Sequence, residues 1–105
     1  MELVGIYLTA HALERFLLRA PAAGRSTKPD LTLWRLLAGS RPIRWLNGRG
    51  VRNALAHGPA QHRLASDGRL VLVVGEGRPR PLLTVYLMPP EFKQNREWQF
   101  AKEEG

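Results

Sequence analysis

Hydrophobic and polar positions alternate over residues 4–8, where Val4, Ile6 and Leu8 are interleaved with Gly5 and Tyr7. That period of two predicts a short first strand. The period lengthens after Thr9, a suitable N-cap, and predicts a helix over residues 10–20 that ends at Pro21. At about 100° per residue, Leu13, Phe16, Leu17 and Ala20 fall on one face of this helix. His11, Arg15 and Arg19 form a stripe at i, i+4 and i+8 on the other side, and Leu18 interrupts the polar face beside them, so some cover over Leu18 is expected.

Residues 21–27 read as a loop, and Thr27-Lys28-Pro29-Asp30 has the spacing of a capping box with proline in the tolerated first turn. A second helix is predicted to about Ala38, with Leu33, Trp34 and Leu37 as core candidates and Gly39 as its stop. Residues 43–46 form a possible strand ahead of the turn signal Asn47-Gly48-Arg49-Gly50. The back half reads as antiparallel sheet: a hairpin of residues 61–66 and 69–75 around a two-residue Asp67-Gly68 turn, a Gly/Pro-rich connection, and a strand over residues 82–88. In that last strand Leu83, Val85 and Leu87 are expected on one face, and Thr84 and Tyr86 on the other. The expected architecture is α+β, with N-terminal helices packed on a three- to four-stranded antiparallel sheet in a single domain over residues 1–90. The tail, residues 91–105, carries Phe92, Trp98 and Phe100 and is expected to dock as a short helix or to serve as a partner-binding arm.

Composition narrows the chemistry. With 44% hydrophobic residues the 105-residue chain can bury one modest core. It has no cysteine, which excludes disulfides, thiolate metal sites and cysteine nucleophiles. No apolar run approaches the roughly 20 residues of a membrane helix, and the N-terminus lacks the pattern of a signal peptide. A cytoplasmic location is the expectation. Net charge is +7 and uneven: residues 15–80 hold thirteen basic residues against Asp30, Asp67 and Glu76, a local net of +10. Guanidinium groups neutralise phosphate and stack on bases, so a polyanion, RNA first, is the natural partner. The competing explanation is codon usage in a GC-rich genome, which also raises Arg, Ala, Gly and Pro.

The helical stripe puts the His11 imidazole one turn from the Arg15 guanidinium. This pairing suits RNA cleavage without a metal, in which a 2′-OH loses a proton as it attacks the adjacent phosphate and charge builds on phosphorus. On the competing reading both are solvated residues of a polar helix face. His57 and His62 lie five apart, with no cysteine and few acids nearby, a poor pattern for zinc. No metal or cofactor is expected. His62 opens a strand that leads toward the Thr84/Tyr86 face and is the candidate second proton carrier; Tyr86 and Thr84 are candidate phosphate donors. Arg19, Arg44, Arg49, Arg52 and Arg63 are the candidate nucleic-acid contacts. Gly75-Glu76-Gly77 lacks the rest of a phosphate loop.

A His11-Ala12-x-x-Arg15 opening on the first helix, a second helix, and a hairpin-rich sheet ending in Leu83-Thr84-Val85-Tyr86 resemble small toxin-like proteins of or near the barnase–EndoU–colicin–RelE group of metal-independent RNases. The likeness covers residues 7–88. It implies helices packed on an antiparallel sheet with RNA cleavage on the sheet's open face, and it singles out His11, Arg15, Thr84 and Tyr86. It also implies an acidic antitoxin as a possible partner. The helical wheel turns His11 and Arg15 away from the core-facing side, so they reach such a site only if another segment folds over them. Three readings follow: a metal-independent endoribonuclease, a non-catalytic RNA- or DNA-binding module on the same basic face, and a protein-interaction domain anchored by the aromatic tail.

Overall fold

A computed structural model describes residues 5–20, 28–46, 58–88 and 98–101. The architecture is α+β, with two N-terminal helices packed on a six-stranded mixed sheet. In chain order the elements are β1 (Ile6–Leu8), α1 (Ala10–Arg19), α2 (Pro29–Ala38), β2 (Arg41–Trp45), β3 (Ala60–Leu64), β4 (Leu70–Gly75), β5 (Arg80–Leu87) and β6 (Trp98–Phe100). The strands lie in the order β1-β5-β4-β3-β2-β6. The sheet is therefore wider than three or four strands and not purely antiparallel, because both flanks gain a strand that local pattern leaves unpaired. β1 runs parallel to β5, matching Ile6 with Arg80 and Leu8 with Leu82. β6 pairs antiparallel with β2, matching Trp45 with Trp98 and Ile43 with Phe100. This part of the tail is thus an edge strand, neither a helix nor a free arm. Phe92 lies outside the described residues.

Local chemistry explains the helix ends. Thr9 is extended, and its side chain accepts from the Ala12 N–H at 3.1 Å, as an N-cap does. The same hydroxyl donates to the Leu82 carbonyl at 2.6 Å, which ties the start of α1 to β5. α1 buries Ala12 and Phe16 against the sheet, with Leu13 and Ala20 packed at the margin. Leu18 remains 60% exposed, so the cover expected over it is missing. α2 begins at Pro29 with Lys28 at the cap position and no side-chain cap bond; Thr27 lies outside the described residues. It buries Leu33 and Leu37. The Gly39 N–H donates to Arg35 O and Leu37 O at its end.

β4 is buried along its whole length. Leu70, Leu72 and Val74 meet the helices, together with Phe16, Leu33, Leu37, Leu82 and Val85. Val71 belongs to a second cluster on the opposite face with Ile43, Leu64 and Met88, lined by Trp45, Tyr86 and Trp98. An irregularity between Val73 and Val74 pairs Val73 with Thr84 but Val74 with Leu82, leaving Leu83 as an extra residue. This bulge overturns the simple alternation in β5: Leu82, not Leu83, joins Val85 in the helix-side core. The β3–β4 connection is also longer than two residues. A turn over residues 65–68 is closed by Gly68 N–H to Ala65 O at 2.9 Å, with Gly68 at φ 73°, and Asp67 Oδ1 accepts from the Arg69 and Leu70 amides.

Gly39 is needed for proximity, since its φ of −89° suits any residue. A Cβ there would lie 2.7 Å from the Ser66 Cβ, where the end of α2 abuts the β3–β4 turn. Gly39→Ala should therefore lower stability by about 1–3 kcal/mol in urea unfolding. Much of that loss should return in the Gly39→Ala/Ser66→Gly double variant, and additive effects in the cycle would contradict this packing.

Candidate nucleic-acid interface

The pleat sorts the candidate residues onto two sides of the sheet. On β3, Gln61 and Arg63 pair with Val74 and Leu72 and face the helices, whereas His62 and Leu64 pair with Val73 and Val71 and face the other way. On β5, Thr84 and Tyr86 share that second side with His62. His11 and Arg15 belong to α1, on the helix side. The sheet stands between the two halves of the expected composite site, and the structure does not bring His11 and Arg15 together with His62, Thr84 and Tyr86.

The second side is a partly exposed aromatic assembly around a buried histidine. His62 is 4% exposed. Its Nδ1 accepts from Trp45 Nε1–H at 3.0 Å and lies 3.1 Å from the Tyr86 hydroxyl. An indole N–H can only donate, so Nδ1 is an acceptor and the ring proton resides on Nε2. Trp45 and Tyr86 meet the imidazole edge-on, with ring centroids 5.8 Å and 6.2 Å away. β5 and β3 are separated by two strand spacings, about 10 Å. Only long side chains span that distance, and Tyr86 and His62 do so across β4. Burial pushes the Tyr86 phenol above its ordinary value, because the phenolate would lose its hydration. The phenol therefore remains a neutral hydrogen-bond partner through the physiological range. This arrangement builds a core; it does not expose a proton shuttle.

The helix side carries several accessible cations. His11 and Arg19 are exposed and Arg15 is half-buried on the flank of α1. Arg44 is exposed on β2. Arg63 differs from them: it is 3% exposed, and its Nε and Nη2 donate to Ser40 Oγ and Ser40 O at 2.7 and 2.8 Å while Nη1 donates to Gln61 Oε1 at 3.0 Å. Its guanidinium is committed inside the protein and is not presented to phosphate. Arg49, Arg52 and His57 lie outside the described residues. On the second side, Arg41 stacks on Phe100 with its guanidinium carbon 3.9 Å from the ring centroid.

An open cleft of about 440 Å³ lies where β2, β3 and the end of β6 meet, lined by Pro42, Arg44, Gln61 and Ala101 and, from the second side, by Ile43, Trp45, Ala60 and His62. Sequence reasoning missed Gln61, Ser40 and the pairing of Trp45 with His62. The i, i+2 placement of Gln61 and Arg63 on one strand face was the available signal for the first of these. Among the described residues no three His, Asp or Glu side chains converge on a metal-sized site, and no helix is long and apolar enough to cross a membrane. Comparison of the chain with protein-family models, with curated proteins and with solved structures finds no match.

His62→Leu removes the acceptor for an indole N–H and should lower stability by about 1–3 kcal/mol in urea unfolding. Polyanion binding should be unchanged at temperatures where the variant is folded. Because burial raises the Tyr86 pKa in the folded state, the stability tied to its neutral form is complete below the unfolded value of about 10 and is lost as pH rises beyond it. Absorbance titration at 295 nm should find a late tyrosine ionisation in wild type that is lost in Tyr86→Phe.

Proposed function

We propose that this protein binds RNA on the helix-bearing side of its sheet. The observation that carries this reading is the placement of Arg15 and Arg19 along one flank of α1, with Arg44 on the same side of the sheet. Among the described residues none of these three guanidiniums is held in an ion pair. They lie within the segment whose local net charge is +10. Phosphate neutralisation by such cations releases counterions, so affinity should fall steeply with salt. The Arg15→Ala/Arg19→Ala variant should bind a structured RNA more weakly and reduce the log–log salt slope by about two, as two phosphate contacts require. Equal affinity and slope in variant and wild type would overturn the interface.

A cleaving, toxin-like function is the second reading, and the exposure of His11 one turn from Arg15 favours it. In this reading His11 accepts the 2′-OH proton as the oxygen attacks phosphorus, and Arg15 stabilises the charge that builds on the phosphoryl oxygens. His62, Tyr86 and Thr84 take no part in it. An acidic antitoxin would inhibit by covering the same helical stripe. Incubation of RNA with the protein in EDTA should yield fragments that His11→Ala abolishes; intact RNA with wild type would leave a binding module without cleavage.

A further inference from the structure

The cleft between β2 and β3 has a chemistry that the helical stripe lacks. Continuing the register of Ile43 with His62 by one residue sets Arg44 opposite Gln61, on the helix side. Both line the cleft, with Pro42 and Ala101 beside them, and Ile43, Trp45, Ala60 and His62 complete its lining from the other side of the pleat. A free glutamine amide presents an acceptor and a donor with equal ease. Here the choice is made by Arg63, whose Nη1 donates to Gln61 Oε1 at 3.0 Å. Arg63 is itself locked, 3% exposed and bonded twice to Ser40 at the end of α2. With one lone pair of Oε1 engaged and the amide thereby oriented, the Gln61 side chain turns its N–H donors toward the cleft in preference to its oxygen. Arg44 supplies a positive charge beside it.

We propose that this cleft receives one nucleotide of RNA, with a keto base, guanine or uracil, on the Gln61 amide and its phosphate on Arg44. The inference rests on the RNA-binding reading and deepens it. Guanine turns O6 and N7 acceptors toward a donor, and uracil turns its O4. Adenine shares N7 with guanine, but adenine and cytosine carry amino donors where guanine has O6 and uracil has O4, so at that position they set donor against donor. A volume of about 440 Å³ is of the size that small-molecule sites occupy. Arg63 and Ser40 are positioning residues, since they act on the base only through Gln61.

Calorimetric titration of the full chain with GMP, UMP, AMP and CMP, and with inorganic phosphate, tests this. GMP and UMP should bind about tenfold more tightly than AMP and CMP, with phosphate alone weaker still. Gln61→Leu should abolish the preference while retaining weak binding of all four. Arg44→Ala should weaken all four by about tenfold and keep their order. Arg63→Lys, which releases Oε1, should narrow the ratio of GMP to AMP affinity. Equal binding of the four nucleotides by wild type, absence of binding, or a preference that survives Gln61→Leu would overturn the proposal. Salt-dependent RNA binding by a chain that takes up no mononucleotide overturns the cleft alone. Base-selective nucleotide binding by a chain without salt-dependent RNA affinity supports the cleft and overturns the helical stripe.

Discussion

A strand buried on both faces must be covered twice, and in this protein that demand falls on β4. Leu70, Leu72 and Val74 need one apolar layer, which α1 and α2 supply through Phe16, Leu33 and Leu37. Val71 and Val73 are fully buried on the opposite face, beyond the reach of the helices. That second side is built from the sheet's own long aromatic side chains, Trp45, Tyr86 and Trp98, around the Val71 cluster. Packing His62 among those aromatics removes it from solvent, while Thr84 and Tyr86 stay partly exposed.

The same demand accounts for the buried polar groups. An imidazole is kept within the second side with its Nδ1 satisfied, because Trp45 donates to that nitrogen and the Tyr86 hydroxyl lies against it. On the helix side, beyond the cover of α1, Arg63 occupies a position opposite Leu72 and meets Ser40 at the end of α2. A guanidinium with three bonds to neutral partners closes the gap between α2 and β3. It also fixes the orientation of Gln61. The closure of this gap and the orientation of Gln61 therefore share one side chain.

Much of the element order was legible in the chain. The N-cap at Thr9, the stop at Gly39, the core positions Phe16, Leu33 and Leu37, and the β3–β4 hairpin all follow from local spacing and turn chemistry. The first strand was expected from residues 4–8, and what went unread was pairing that is remote in sequence. β1 meets β5 after more than sixty intervening residues, and β6 reaches β2 from the tail. A three-residue strand has no periodicity of its own to announce a partner. The bulge at Leu83 was hidden for a related reason, since it is a property of the pairing with β4, not of the run Leu82-Leu83-Thr84.

The candidate site divides in the same way. His11, Arg15 and Arg19 were readable as an accessible helical stripe, because helix geometry is local and sets which residues share a face. The sequence by itself determined the basic character of the chain, the two helices, the hairpin and this stripe. Tertiary structure alone decided that His62 and Tyr86 would be enclosed with Trp45, that Arg63 would turn inward to Ser40 and Gln61, and that the sheet would separate them from His11. The reason is physical: on a strand, the pleat assigns a residue to one of two sides, but what covers each side is settled only when distant elements pack. A histidine or an arginine is accessible on one side and structural on the other, and its own neighbours in the chain do not distinguish the two.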